Sequence, residues 1–300
     1  MDKTITLILL TLAILIGILT GRFYPNRAHK NKLKRFLTKY LIYFGLPLFI
    51  FLSLLKHKEI KLTGYAIFIT GFFTALSLFT FIILKKHSAE NTENKIRASL
   101  FICSVFGNTG YIGIPFAYLF FGSKGLAIAS LTAVIGGIIH YSLGVFLANC
   151  FLSTKKFAIL KVMKTPLIYS FSTALLFSRF HFVQAFQIPR SLHIFSETAI
   201  YLAVFLIGLT LSFRKINRTI LTGLLFKFLF SPIIAFFFLQ FTQFGILEKA
   251  TFLLLASTPP ALINTSLAIE FNWNAEYASN FTAIATCIFL IVVFLIFFIM

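Results

Sequence analysis

Acidic side chains are scarce in this chain: 8 Asp and Glu accompany 27 Lys and Arg in 300 residues, and only 12% of positions carry a charge. With 59% hydrophobic residues, 41 of them Phe, and a mean hydropathy of +0.94, apolar side chains exceed what the interior of a soluble domain holds. Lipid must therefore solvate much of the surface. Cysteine is equally sparse. Cys103, Cys150 and Cys287 lie in apolar surroundings without C-x-x-C spacing, which excludes a disulfide framework and a cysteine metal site and leaves three small buried hydrophobes. No G-x-S-x-G, H-E-x-x-H or paired intramembrane aspartates occur, so an intramembrane hydrolase has no recognisable nucleophile or metal. No metal or cofactor is expected.

What is present is long apolar runs. In lipid only helices and closed barrels satisfy their own backbone, and these runs are continuous rather than alternating, which selects helices. About 20 apolar residues span a bilayer. Ten such segments are predicted: Thr4 to Gly21, Phe36 to Leu55, Leu62 to Leu84, Ala98 to Phe121, Leu126 to Leu152, Pro166 to Val183, Ile194 to Phe213, Thr219 to Phe241, Ala250 to Phe271 and Tyr277 to Phe298. No small-residue cleavage site follows the first segment, and a basic loop does, so it is expected to be retained as a helix.

The formal charge of +19 records orientation rather than a nucleic-acid partner. The loops between segments 1 and 2, 3 and 4, 5 and 6, and 7 and 8 carry 18 Lys or Arg, those on the opposite side carry 8, and Lys227 stands alone inside segment eight. The positive-inside rule then places the first group in the cytoplasm and both termini outside, with anionic lipid as a further partner of the basic loops. The abundance of Phe, Ile and Lys suggests an AT-rich genome and a bacterial inner membrane.

Ten helices divide into five and five, residues 1–152 and 153–300, and an odd number inverts the second half. "GLPLFIF" at Gly45 to Phe51 and "GLTLSF" at Gly208 to Phe213 fall in the second helix of each half. The fourth helix of each half is disturbed, by "GNTGYIGIP" from Gly107 and by "ASTPPALINTS" from Ala256. Pro115, Pro259 and Pro260 remove backbone donors, while Gly107, Gly110 and Gly113 impose little restraint. The reading predicts non-helical chain at Gly107 to Pro115 and Thr258 to Asn264, side by side. Paired breaks in inverted halves point to a transporter's binding site. Asn108 and Thr109 in the first half, and Asn264, Thr265 and Ser266 in the second, bring polar side chains to the same depth. Kinks and close-packing sites are the structural alternative.

"NTGYIGIPF" with "FGSKGLAIASL", and "ASTPPALINTSLAIEFNWNAEYAS", resemble the fourth- and ninth-helix signatures of the auxin efflux carrier family, which includes the plant PIN-formed carriers and bacterial malonate, malate and other organic-anion permeases. "YFGLPLFIFLSL" and "KFLFSPIIAFFF" fit the same family. The resemblance implies an all-α fold in which helices 4 and 9 cross at unwound centres. It further implies a scaffold of helices 1, 2, 6 and 7, a moving part of helices 3 to 5 and 8 to 10, and often a homodimer. It makes Asn108 a substrate-contacting asparagine and Pro115 and Pro259 crossover prolines. Pro260 stands where plant members often have glutamine, and Asn264 where they have another proline.

Electrostatics addresses the substrate's sign. A dehydrated cation needs a buried carboxylate, and none of the eight acidic residues lies mid-segment, Glu197 and Glu270 being near segment ends. Lys227 and half-helix N-termini favour an anion; equally, Lys227 lies close enough to a segment end to snorkel to the cytoplasmic edge. His140 in "GGIIHYSLG" is either a proton relay or, more often for such a histidine, a packing residue. The site residues are Asn108, Thr109, Gly110, Pro115, Pro259, Pro260, Asn264, Thr265 and Lys227. The expected function is secondary transport of a small organic anion, a mono- or dicarboxylate or an auxin-like compound, by an elevator motion, against the alternatives of a cation/proton antiporter of similar crossed-helix fold, an intramembrane enzyme or a receptor. Neither proton nor sodium coupling is selected.

Overall fold

A computed structural model describes residues 3–23, 26–55, 62–86, 93–153, 166–178, 189–210 and 216–299. The expected end of the sixth segment, with Arg179 and His181, and the connection holding Lys155 lie outside the described residues. Nearly everything described is helical. In chain order the helices are α1 Lys3–Phe23, α2 27–54, α3 Leu62–Lys86, α4 Asn94–Val105, α5 109–121, α6 123–150, α7 Pro166–Phe177, α8 Arg190–Thr210, α9 218–240, α10 Ile246–Ala256, α11 Ile263–Glu270 and α12 Ala275–Ile299. Among the described residues six helical stretches are long and apolar enough to cross a membrane: Ala28–Leu54, Thr63–Lys86, Thr109–Cys150, Arg190–Thr210, Arg218–Gln240 and Ala275–Leu295. Ile8–Phe23 and Ile168–Phe177 are shorter apolar helices. The stretch Thr109–Cys150 is two helices, because Gly122 adopts φ 62° and ψ −154°, a conformation essentially restricted to glycine, and separates α5 from α6.

Side-chain caps set several helix starts. Asn26 Oδ1 accepts from Ala28 N–H at 2.8 Å, Asn217 Oδ1 from Ile220 N–H at 2.9 Å, and Asn274 Oδ1 from Tyr277 N–H at 2.8 Å, each satisfying an orphan donor of a first turn. The first of these starts α2 at Arg27, well before the expected Phe36, so the basic run Arg27 to Lys39 is helical rather than loop.

Three prolines shape their helices in a common way. Pro47, Pro115 and Pro232 each follow a five-residue π turn, Leu41–Gly45, Thr109–Gly113 and Phe226–Phe230. The residue four before each proline, Tyr43, Tyr111 or Phe228, is the centre of that turn. A proline ring clashes with that carbonyl and donates nothing to it, and one wide turn absorbs both problems without opening the helix. The expected non-helical stretch is therefore shorter than Gly107 to Pro115: the chain is extended only around Phe106 to Asn108, and Pro115 lies within a helix. Asn264 is likewise inside α11, and the second non-helical stretch ends at Leu262.

The chain forms two compact units. The first holds the described residues of 1–62, 110–134 and 163–211. In it α1 and α8 pack along their lengths, and the 46–54 part of α2 packs on α7. Gly17 and Gly208 face each other: a Cβ on Gly17 would collide with the Phe205 carbonyl, and one on Gly208 with that of Ile14. Small residues let the two backbones approach, the usual device of helix pairs in lipid. Phe49 meets Tyr118 edge-on at 5.3 Å, and Tyr118 OH donates to Glu197 Oε1 at 3.1 Å.

The second unit holds the described residues of 63–109, 135–162 and 212–300. Here α4 packs against α9, α12 and the end of α6, while α10 packs on α9 and α11 on α12. Rings of Tyr65, Phe68, Phe244 and Phe252 cluster with centroids 4.5–5.8 Å apart. Beneath them Tyr65 OH donates to Glu248, whose other carboxylate oxygen accepts from Gly245 N–H and so closes the first turn of α10.

Candidate functional site

Within the second unit, α4 stops at Val105 and α10 at Ala256, and the extended residues that follow pair with each other. Asn108 N–H donates to Pro259 O at 2.7 Å, Ala261 N–H donates to Phe106 O at 3.0 Å, and Gly107 lies opposite Pro260 in an antiparallel bridge. The bonds run between the flanking residues, so Pro260 occupies the place where a missing N–H costs no ladder bond. Gly107 is required by close approach. A Cβ there would collide with Thr258 Oγ1 and lie 3.0 Å from both the Thr258 carbonyl oxygen and Lys227 Nζ.

Breaking two helices orphans their last carbonyls, and side chains of α9 and α11 satisfy them. Lys227 Nζ donates to Val105 O at 3.3 Å, and Ser231 Oγ to Ala256 O at 2.8 Å. Asn264 Nδ2 donates to Phe106 O at 3.2 Å and Ile102 O at 3.4 Å. Lys227 is 1% exposed, and its ammonium points at the crossover instead of snorkelling. A cation at a helix C-terminus also meets the favourable end of the dipole.

Around this core the polar side chains are buried. Asn264 is 0% exposed and Asn108 4%. Cys103 lies beside Asn264 and Thr282. His140 stacks flat on Phe106 with ring centroids 4.3 Å apart, close to Asn264. His140 Nε2 and Asn264 Oδ1 have no hydrogen-bond partner among the described residues. The imidazole is thus packed on a ring, with one nitrogen left over. No side chain caps the N-terminus of α11.

The structure thus gathers Asn108, Thr109, Pro259, Pro260, Asn264, Thr265 and Lys227 in the second unit, whereas Gly110 and Pro115 belong to the first. Thr109 and Thr265 are half-buried. Ser231 and Thr258 are crossover residues that the sequence reading missed. The available signal was Ser231 four positions after Lys227 on one helix face, directly before Pro232. Among the described residues no group of three or more His, Cys, Asp or Glu is placed to hold a metal.

The profile of a family described as membrane transport protein matches residues 5–150 and 148–297, nearly the whole chain. The chain belongs to this family, the auxin efflux carrier-type membrane transport proteins. An uncharacterized transporter of Methanocaldococcus jannaschii is 28% identical over 297 residues, which cover 94% of this chain and 95% of the relative. This family member is accordingly a multi-pass membrane transporter and not an enzyme, and it handles a small-molecule substrate.

Proposed function

We propose that the chain is a secondary active carrier of a small organic anion, a mono- or dicarboxylate of the malonate type, working by an elevator motion. The observation that carries the reading is the crossover of α4 and α10–α11, where Asn108 is bonded through its backbone N–H to Pro259, four residues before the uncapped α11 begins at Ile263. Amides at such a terminus and its partial positive charge favour a carboxylate. Lys227 adds positive charge, and the other buried charged side chain among the described residues, Glu248, lies at the opposite end of α10. In this reading α4 with α5, and α10 with α11, are each one broken crossing, which gives ten crossings in two inverted halves with both termini outside. Asn108, Thr109, Pro259, Pro260, Asn264 and Thr265 form the substrate site, with Gly110 and Pro115 following in the chain. A bacterial inner membrane, a homodimer and coupling to proton or sodium complete the proposal.

The test is uptake into vesicles that contain only the purified protein. A panel of mono- and dicarboxylates, cations and neutral solutes is presented under imposed proton and sodium gradients. Saturable carboxylate uptake, matched by a raised melting temperature with the same compound, is the expected result. Uptake of a cation, with every carboxylate inert, would replace this reading with the antiporter.

A further inference from the structure

The Lys227 ammonium sits among backbone dipoles rather than beside a carboxylate. Its hydrogen bond is to Val105 O, the last carbonyl of α4. It also lies against Gly107, 3.0 Å from the point a Cβ would occupy, and the carbonyl and hydroxyl oxygens of Thr258 crowd the same point. Both neighbours belong to chain that has left its helix and carries carbonyls without intrahelical donors. Glu248 is committed to Tyr65 and Gly245. A buried positive charge matched by end-of-helix carbonyls, with no counter-carboxylate among the described residues, is the environment that half-helix C-termini and unwound backbone offer to a bound monovalent cation.

We propose that Lys227 is a tethered cation: its ammonium fills the place a free monovalent ion would need to hold the end of α4 to the α10–α11 connection, so the crossover assembles without sodium. Lys227 is then a positioning residue, and the carbonyl cluster becomes an ion site once the ammonium is removed. The link to transport rests on the carrier reading above; the ion site does not, because it is read on the folded protein alone.

The experiment compares melting temperatures of the purified full-length protein in choline, sodium and ethylammonium chloride. The wild type is expected to melt at the same temperature in choline and ethylammonium, and its own shift in sodium, if the carrier couples to that ion, is the baseline for the variants. Lys227→Ala should melt lower in choline and recover at least half of the loss in sodium or ethylammonium, which fit the vacated space where choline does not. Lys227→Met keeps the bulk without the charge and should stay low in every salt. A Lys227→Met protein melting like wild type, or a Lys227→Ala protein no better in either small cation than in choline, overturns the proposal. Should Lys227→Ala fail to accumulate, Lys227→Arg and Lys227→Met decide: membrane yield kept by the first and lost by the second supports it, and equal yields overturn it. Organic-anion uptake is scored separately. Uptake by Lys227→Ala that depends on sodium beyond any dependence shown by wild type ties the site to transport, whereas no uptake by any variant removes the carrier reading and leaves the ion response to stand.

Discussion

Lys227 and Ser231 stand four residues apart on α9, and each hydrogen-bonds the last carbonyl of a different broken helix, Val105 O and Ala256 O. One helix face therefore closes both ends that the crossover leaves open. Position four residues on is the nearest neighbour on a helical face, and the π turn Phe226–Phe230 with Pro232 sets where that face points.

Ser231→Ala is expected to leave Ala256 O buried without its donor. The loss should be about 1–3 kcal/mol, since an unsatisfied buried carbonyl costs more than the hydrogen bond itself contributed. Thermal unfolding in detergent measures it, and a variant within a degree of wild type would show that water replaces the hydroxyl.

Gly107→Ala and Gly110→Ala should differ sharply. The first forces a Cβ into Thr258 and close to Lys227, and overpacking of this kind costs about 1–3 kcal/mol. The second meets nothing within 4 Å, so the protein should fold normally. Gly110 follows Thr109 of the proposed site in the chain, and its variant is the unstrained control. Melting temperature, measured on both variants, checks the difference.

Asn108→Ala should keep the bridge, which uses the backbone N–H of Asn108, and lose the side-chain donor to the anion. A hydrogen bond to a charged partner is worth about 1.5–3 kcal/mol, roughly ten- to hundredfold in affinity. Asn108→Asp should lose more, because repulsion in a low-dielectric site adds to the missing donor. Binding and transport at matched membrane levels test the order. Wild-type anion transport by Asn108→Asp would remove this residue from the substrate site.

Gly17→Leu and Gly208→Leu should each separate α1 from α8, as backbone carbonyls occupy the space either side chain needs. Loss of membrane yield is expected from both. Because the two glycines share one contact, the double variant should cost less than the sum of the singles.

A reporter fused after Met300 should register the outside, and one inserted beside Lys155 the cytoplasm, following the unequal distribution of Lys and Arg between the loops. Reversed signals at both positions would invert the orientation, and equal signals would change the number of crossings.

The sequence by itself determined the solvent, the secondary structure and the positions of interruption. Apolar length demands lipid and lipid demands helix; Gly and Pro at 107–115 and 258–260 act on their own backbone, so their effect is written in neighbouring residues. It also pointed to Asn108 and Asn264 as polar groups beside the interruptions, and to Lys227 as either a buried charge facing an anion or a side chain snorkelling to the membrane edge. The tertiary structure decided what each is used for. Pro115 is accommodated within a helix by a wide turn, while the true break is an antiparallel pair at Gly107 and Pro260. Asn264 spends its amide protons on the carbonyls of Ile102 in α4 and of Phe106 just past it, the latter 158 residues away, and Lys227 reaches across 122 residues to Val105. Whether a lysine in the first half of a helix snorkels or turns inward depends on whether orphan carbonyls lie within its reach. That is a relation between segments distant in the chain, and no local pattern of hydrophobicity or charge encodes it.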